Sequence, residues 1–410
     1  MRLFLLELKR LLKTRRSLVL LIFMLGFTAF MAYMPTTAFM SRVGGEEFIF
    51  GLEALEHNKE TQQGIAGTVT AEDVQQALTT YRDVFARYDA ETSFDLPDEA
   101  YDEIGAVQPL LTGLGNLYPD ENGQPSPWLA IEPGDVATYY EAAPARIAEL
   151  MDLEYGGDPA PRNYFLSLYD HVGTPFTYVA GVDAVPLEYM VLLAFVLLLC
   201  CTLITTPIFA SDLQTGADDI QRSTRYGRAR LGVLRVLAAL IITGVLSGLC
   251  LTLYWLISNT LYGWEMRDTS AQLLSILGPT APVPFNYGEL QIVLAVLASL
   301  TILATASATL LISSRMKNLV LATGAALALC ILPLLVYMLA PVSIRDWLVS
   351  LLPSSGLCLQ ASTLYALRDL GLLRIGDLLC WTPIAMTTFA AIELLLFSAL
   401  AVLSHTRRQA

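Results

Sequence analysis

Apolar residues in this chain gather into runs too long and too continuous for the core of a soluble domain. A helix needs about 20 apolar residues to cross roughly 30 Å of hydrocarbon. Five uncharged stretches reach that length, at 17–41, 189–211, 236–264, 290–314 and 318–344, and a sixth at 378–406 is interrupted only by Glu393. The pattern predicts an all-α polytopic membrane protein with transmembrane helices at 17–40, 188–210, 232–262, 290–314, 318–342 and 378–405.

Between the first two spans lies a polar stretch, 41–187, with its own helical period. Thr70 and Asp73 form a capping signal, and Val74, Leu78, Tyr81, Phe85 and Tyr88 then recur on one face. A second helix is predicted from Val136 to about Tyr155, with Asp135 as its cap and Pro144 as a kink or split. The Gly- and Pro-rich piece between them reads as a loop. The expectation is an inserted, mostly helical domain with a core of its own.

Two other segments are ambiguous by pattern. Residues 1–16 alternate Leu5, Leu8 and Leu12 with basic side chains, as an interfacial helix lying along a membrane surface would. The alternative is a plain continuation of the first span, which is itself read as retained because its apolar run exceeds a signal-peptide core and no small-x-small cleavage site follows. Residues 343–377 alternate semi-apolar pieces with breakers. Two short re-entrant helices fit if their backbone is buried in protein, and an ordinary loop is the alternative; 263–289 reads as a loop.

Composition supports the membrane assignment, since the chain is 54% hydrophobic and 15% charged, against about 25% charged in soluble proteins. The net charge of −13 is unevenly distributed: residues 36–186 carry 26 Asp and Glu against 6 Lys and Arg, and the remainder 12 against 19. Lys and Arg concentrate in four short segments: the N-terminus, the 211–231 link with Arg235, Arg315 with Lys317, and Arg407 with Arg408. The positive-inside bias places both termini in the cytoplasm and the acidic domain outside. That acidity either solvates a surface or attracts a cationic substrate.

Candidate catalytic chemistry is sparse. His57, His171 and His405 show no metal-ligand spacing, and the six cysteines form no CxxC and avoid the acidic domain. A phosphate loop needs Gly-Lys-Ser/Thr, and the one lysine followed by Ser or Thr, Lys13, is preceded by Leu12. Neither an enzyme, a cofactor on this chain nor a nucleic-acid partner is expected. Within the spans, Gly244 and Gly248 stand one turn apart, a helix-packing signal that serves either the bundle or a dimer. Glu393 lies 14 residues before Arg407, roughly 21 Å along a helix. An acid at that depth marks a polar pathway or a buried hydrogen bond.

The link "PIFASDLQTGADDIQRSTRYGRARL" is crowded with charges and turn-formers. Its alternatives are a solvated loop and a docking element. It resembles the segment after the second span in permease subunits of bacterial ABC exporters, where a coupling helix contacts the ATPase. The basic amphipathic start, "SSRMKN" between spans four and five and "TPFTY" before the second span strengthen the resemblance, which covers the six-span frame.

Carried over, the coupling positions are Asp212, Thr215, Gly216, Ser223, Thr224, Gly227 and Arg228, with Arg225 a further charged anchor. Gln221 and Arg222 stand where this family often has aliphatic residues. The resemblance implies a bacterial cell-membrane permease, more an exporter than an importer. It also implies a separate cytoplasmic ABC ATPase subunit that carries the ATP, and a second permease subunit, identical or not, within the lipid bilayer. The rival expectation is a membrane-anchored sensor or accessory protein whose outer domain binds a ligand.

Overall fold

The computed structural model describes residues 2–43, 47–224 and 228–407. Among them, six helical segments are long and apolar enough to cross a membrane: Arg15–Ala38, Val185–Thr215, Ala229–Tyr262, Tyr287–Arg315, Leu319–Leu339 and Thr382–Arg407. The fold is that of an all-α polytopic membrane protein.

The chain opens with an amphipathic helix, α1 (Arg2–Leu12), which ends before Thr14. Thr14 adopts an extended conformation and its hydroxyl accepts the Ser17 amide, so α2 (Arg15–Tyr33) starts as a new helix with its own cap. A 3-10 turn, Met34–Ala38, completes the first span.

A hairpin follows, β1 (Met40–Val43) against β2 (Glu47–Phe50), then α3 (Leu52–Thr61) and β3 (Gly67–Val69). The predicted capped helix is α4 (Ala71–Arg87), with a complete capping box between Thr70 and Asp73 and with Val74, Leu78 and Phe85 buried. After it come α5 (Glu99–Val107) and the single turn α6 (Leu114–Leu117). The second predicted helix is divided, but not at Pro144: a 3-10 segment, Pro133–Thr138, leads into α7 (Tyr139–Glu154), which runs through the proline. Pro144 lies in the second turn, where its missing amide and ring disturb only the first carbonyls of the helix.

Helix α8 (Pro159–Tyr169) and β4 (Phe176–Tyr178) complete the inserted domain. Strand β4 pairs antiparallel with β3, so the end of the domain is fastened to the segment that leads into α4. The domain's main core is not separate, as one apolar cluster runs from Phe165 and Tyr178 through Leu187 and Leu197 to Met24 of α2. Among the described residues, a satellite cluster of Val84, Phe85, Leu96, Ala100 and Ile104 belongs to the domain alone.

The second span begins with α9 (Val185–Thr205) and resumes after one residue as α10 (Pro207–Thr215). Pro207 removes an amide, and the break leaves backbone groups open. Ser313 of the fourth span closes it, donating to the Thr206 carbonyl (2.5 Å) and accepting the amides of Phe209 (3.1 Å) and Ala210 (2.9 Å). Next come α11 (Ala217–Arg222), α12 (Ala229–Tyr262), α13 (Tyr287–Arg315) and α14 (Leu319–Leu339). Helix α13 begins three residues before the predicted 290 because Asn286 and Glu289 form another capping box. It lies among α9, α10, α12, α14 and α17 (Thr382–Arg407).

Between α14 and α17 the chain forms α15 (Val342–Ser350), α16 (Thr363–Arg368) and a hairpin of β5 (Leu372–Ile375) with β6 (Leu378–Trp381). The predicted start of the last span at 378 is therefore strand, and the helix begins at Thr382. Residues 353–358 are all buried. The Pro353 carbonyl accepts from Thr305 of α13 (2.9 Å), and Ser354 donates to the Leu329 carbonyl of α14 (2.8 Å). Thr305 and Leu329 each lie ten residues from their helix ends at Arg315 and Leu319, roughly 15 Å. The segment thus dips into the bundle, its irregular backbone enclosed by protein as a hydrocarbon setting requires.

Candidate coupling site

At the end of the bundle opposite the inserted domain, five elements bring charged side chains together. Asp212 of α10 is the hub. Its Oδ1 accepts from Arg10 Nη2 of α1 and its Oδ2 from Arg235 Nη2 of α12, both at 2.5 Å. Gln221 of α11 closes the ring, accepting from the same Arg235 nitrogen (2.6 Å) and donating to Asp212 at 3.4 Å. Glu7 of α1 stands 3.7 Å from both arginines. Two carboxylates and two guanidiniums balance, which is the condition for keeping Arg235, only 1% exposed, inside the protein. The Phe209 ring lies 5.7 Å from its guanidinium carbon, a cation–π contact.

A second link ties α11 to the last span. Asp218 Oδ1 is 3.4 Å from His405 Nδ1, both residues buried, and the imidazole packs on Phe209 with centroids 5.2 Å apart. Gly232 of α12 makes room for it, since a Cβ there would stand 3.0 Å from His405 Cδ2.

Helix α11 is thereby held by one face. Asp218 and Gln221 point inward, three residues apart, and the opposite face presents Asp219, Ile220 and Ser223. Ile220 is 74% exposed. The turn into α11 depends on Gly216, whose φ of +73° only glycine adopts readily.

The carried-over positions divide accordingly. Asp212 is an interior anchor. Thr215, Ser223 and Thr224 are exposed, and their hydroxyls donate to the carbonyls of Ser211 (3.0 Å), Ile220 (2.7 Å) and Gln221 (2.6 Å). Arg228 is exposed at the start of α12, while Arg225 and Gly227 lie outside the described residues. Sequence reasoning did not single out Glu7, Arg10, Asp218, Ile220, Gln221, Arg235 or His405 as site residues. The available signal was a charge displaced from its pattern: Glu7 in a basic helix, and Arg235 beyond the link's own basic cluster.

Elsewhere in the spans, a Cβ on Gly244 would meet Leu303 at 3.6 Å and one on Gly248 would meet nothing within 4 Å. Neither added Cβ would meet the backbone of another helix among the described residues. Glu393 is buried, its carbonyl accepts from Ser307 of α13 (3.4 Å), and its Oε2 has no hydrogen-bond partner among the described residues.

No protein-family model and no curated protein sequence matches this chain.

Proposed function

We propose that the chain is the permease subunit of an ABC-type transporter in a bacterial cell membrane, working as an exporter. Its α11 would be the contact through which a separate ATPase subunit moves the membrane helices. The observation that carries this reading is the union of an outward apolar residue and an inward ion cluster on one six-residue helix. Ile220 offers a partner an apolar anchor, while Gln221 and Asp218 tie the same helix to α10, α12 and α17, and Asp212 carries the link on to Arg10 of α1. A solvated loop needs no such ordering. In this reading ATP is bound and hydrolysed on the partner, a second permease subunit completes the pathway, and both termini face the cytoplasm.

The test is site-specific photocrosslinking in cells from position 220, with mass-spectrometric identification of the product. A crosslink to an ATP-binding-cassette subunit is expected, together with ATPase activity that co-purifies with the chain. Labelling from outside should reach a cysteine placed at Asn122 and miss one at Thr224. A stable complex with no ATPase, or external labelling at Thr224, overturns the reading and leaves the anchored sensor as its replacement.

A further inference from the structure

A cavity of about 670 Å³ lies where the inserted domain meets the bundle. Its walls come from the β1–β2 hairpin, α3, α5, the residues leading into α9 and the connection between α12 and α13. Met40 stands two residues beyond the first span and Ala184 directly precedes the second, so the cavity sits at the boundary between domain and membrane.

Its lining has a definite chemistry. Phe48, Phe94 and Tyr101 supply aromatic surface, and Phe94 is 93% exposed on a domain otherwise rich in acid. Among the described lining residues the charged side chains are two carboxylates, Asp102 and Asp183, with no lysine or arginine. Asp102 accepts from His57 Nε2 at 3.0 Å. Asp183 accepts the Val185 amide at 2.8 Å. Burial raises the proton affinity of Asp183, and no cationic side chain is among the causes that offset it. A carboxylate in that condition is stabilised by a cation brought from outside.

We propose that this cavity binds an organic cation with an apolar body, an amphiphile of the kind that partitions into a membrane surface. Aromatic faces hold the apolar part and attract its positive charge. Asp102 and Asp183 supply the opposite charge, and the position beside two spans lets the ligand arrive along the membrane interface. The site goes beyond the coupling role and does not depend on it, because binding here needs no ATPase.

Rhodamine 6G, an aromatic lipophilic cation, is a suitable probe. Its fluorescence anisotropy would be followed with the full chain in nanodiscs of zwitterionic lipid, empty nanodiscs serving as the blank. Saturable binding at one site is expected, weakened about tenfold or more by Asp102→Asn with Asp183→Asn; asparagine still accepts the Val185 amide. Gly105→Leu tests the cavity without changing charge: Gly105 borders it, and a Cβ there would meet nothing within 4 Å. This variant should weaken binding as much.

Glu72→Gln with Glu121→Gln removes the same charge from the domain away from the cavity and should leave binding unchanged. Melting temperatures and size-exclusion profiles verify folding, and Gly105→Leu carries the test alone if the Asp102 change unfolds the domain. Three results overturn the site: no saturable binding, wild-type binding by Gly105→Leu, or an equal loss in the Glu72/Glu121 variant, which would mean diffuse attraction to an acidic surface.

Discussion

Arg235 and Asp212, 23 residues apart in sequence, meet at 2.5 Å in a setting where neither charge reaches water easily. Breaking a buried pair by removing one partner strands the other, at a cost of about 3–5 kcal/mol. Arg10, whose side chain is 40% exposed, makes the same kind of bond to Asp212 from a wetter position, where an ion pair contributes about 1 kcal/mol or less. Arg235→Ala should therefore destabilise the detergent-solubilised protein far more than Arg10→Ala, read from thermal unfolding of intrinsic fluorescence. Arg235→Met with Asp212→Leu should recover much of the loss. Equal, small effects from both arginine variants would contradict the buried-hub description.

A second prediction concerns pH. Burial pushes the Asp183 carboxyl above the usual aspartate range, opposed by hydrogen bonds from the Val185 and Ala184 amides. Folding thus favours the protonated acid. Its contribution is full below the unfolded value of about 3.9 and is lost as the pH rises through the raised folded value. Asparagine stays neutral and still accepts the Val185 amide. The difference in melting temperature between Asp183→Asn and the parent should be near zero at pH 4 and favour the variant at pH 7. A variant less stable at pH 7 would show that the carboxylate charge is needed by the fold.

The six spans, the inserted domain and helix α4 were legible because each is announced by neighbours in sequence: an apolar run, a three-to-four-residue stripe, a Thr70–Asp73 cap. The ion cluster around Asp212 was hidden from the sequence. Asp212 read as a surface contact because a charge within a polar link is usually solvated, and its burial depends on Arg10, 202 residues away, and on Arg235. Those partners are brought together by helix packing that no local pattern encodes. The same holds for Ser313, which closes the break at Pro207 from more than one hundred residues downstream. The depth reached by 353–358 was equally hidden, because breakers predict an irregular backbone and not where it lies.

Glu393 gives a third prediction. One of its carboxylate oxygens is buried without a hydrogen-bond partner among the described residues, a condition that costs about 1–3 kcal/mol. Glu393→Met should raise the unfolding temperature, and Glu393→Gln should leave folding and assembly intact. If the carboxylate lines the transport route, both variants lower transport despite unimpaired stability. Full transport by Glu393→Gln would remove it from the pathway.

The last prediction tests the proposed function by separating docking from transmission on α11, whose outward face would meet the ATPase and whose inward face meets the ion cluster. Ile220 is exposed and makes no demand on the fold, so Ile220→Asp should leave the unfolding temperature within about 0.5 kcal/mol equivalents of the parent. Placing a charge where the partner expects an apolar anchor desolvates it without compensation, and association with the ATPase subunit should weaken by tenfold or more. Gln221 faces the other way. Gln221→Ala removes the side chain that joins α11 to Arg235 and Asp212 and leaves the outward face unaltered. It should keep the ATPase bound and hydrolysing while transport falls, because the stroke no longer reaches α1 and α12. Pull-down affinity, ATP turnover and transport in proteoliposomes read these three quantities separately. If Gln221→Ala transports normally, the ion cluster is a structural clasp and not the transmission path. If Ile220→Asp binds normally, the partner docks elsewhere and the coupling assignment of α11 fails.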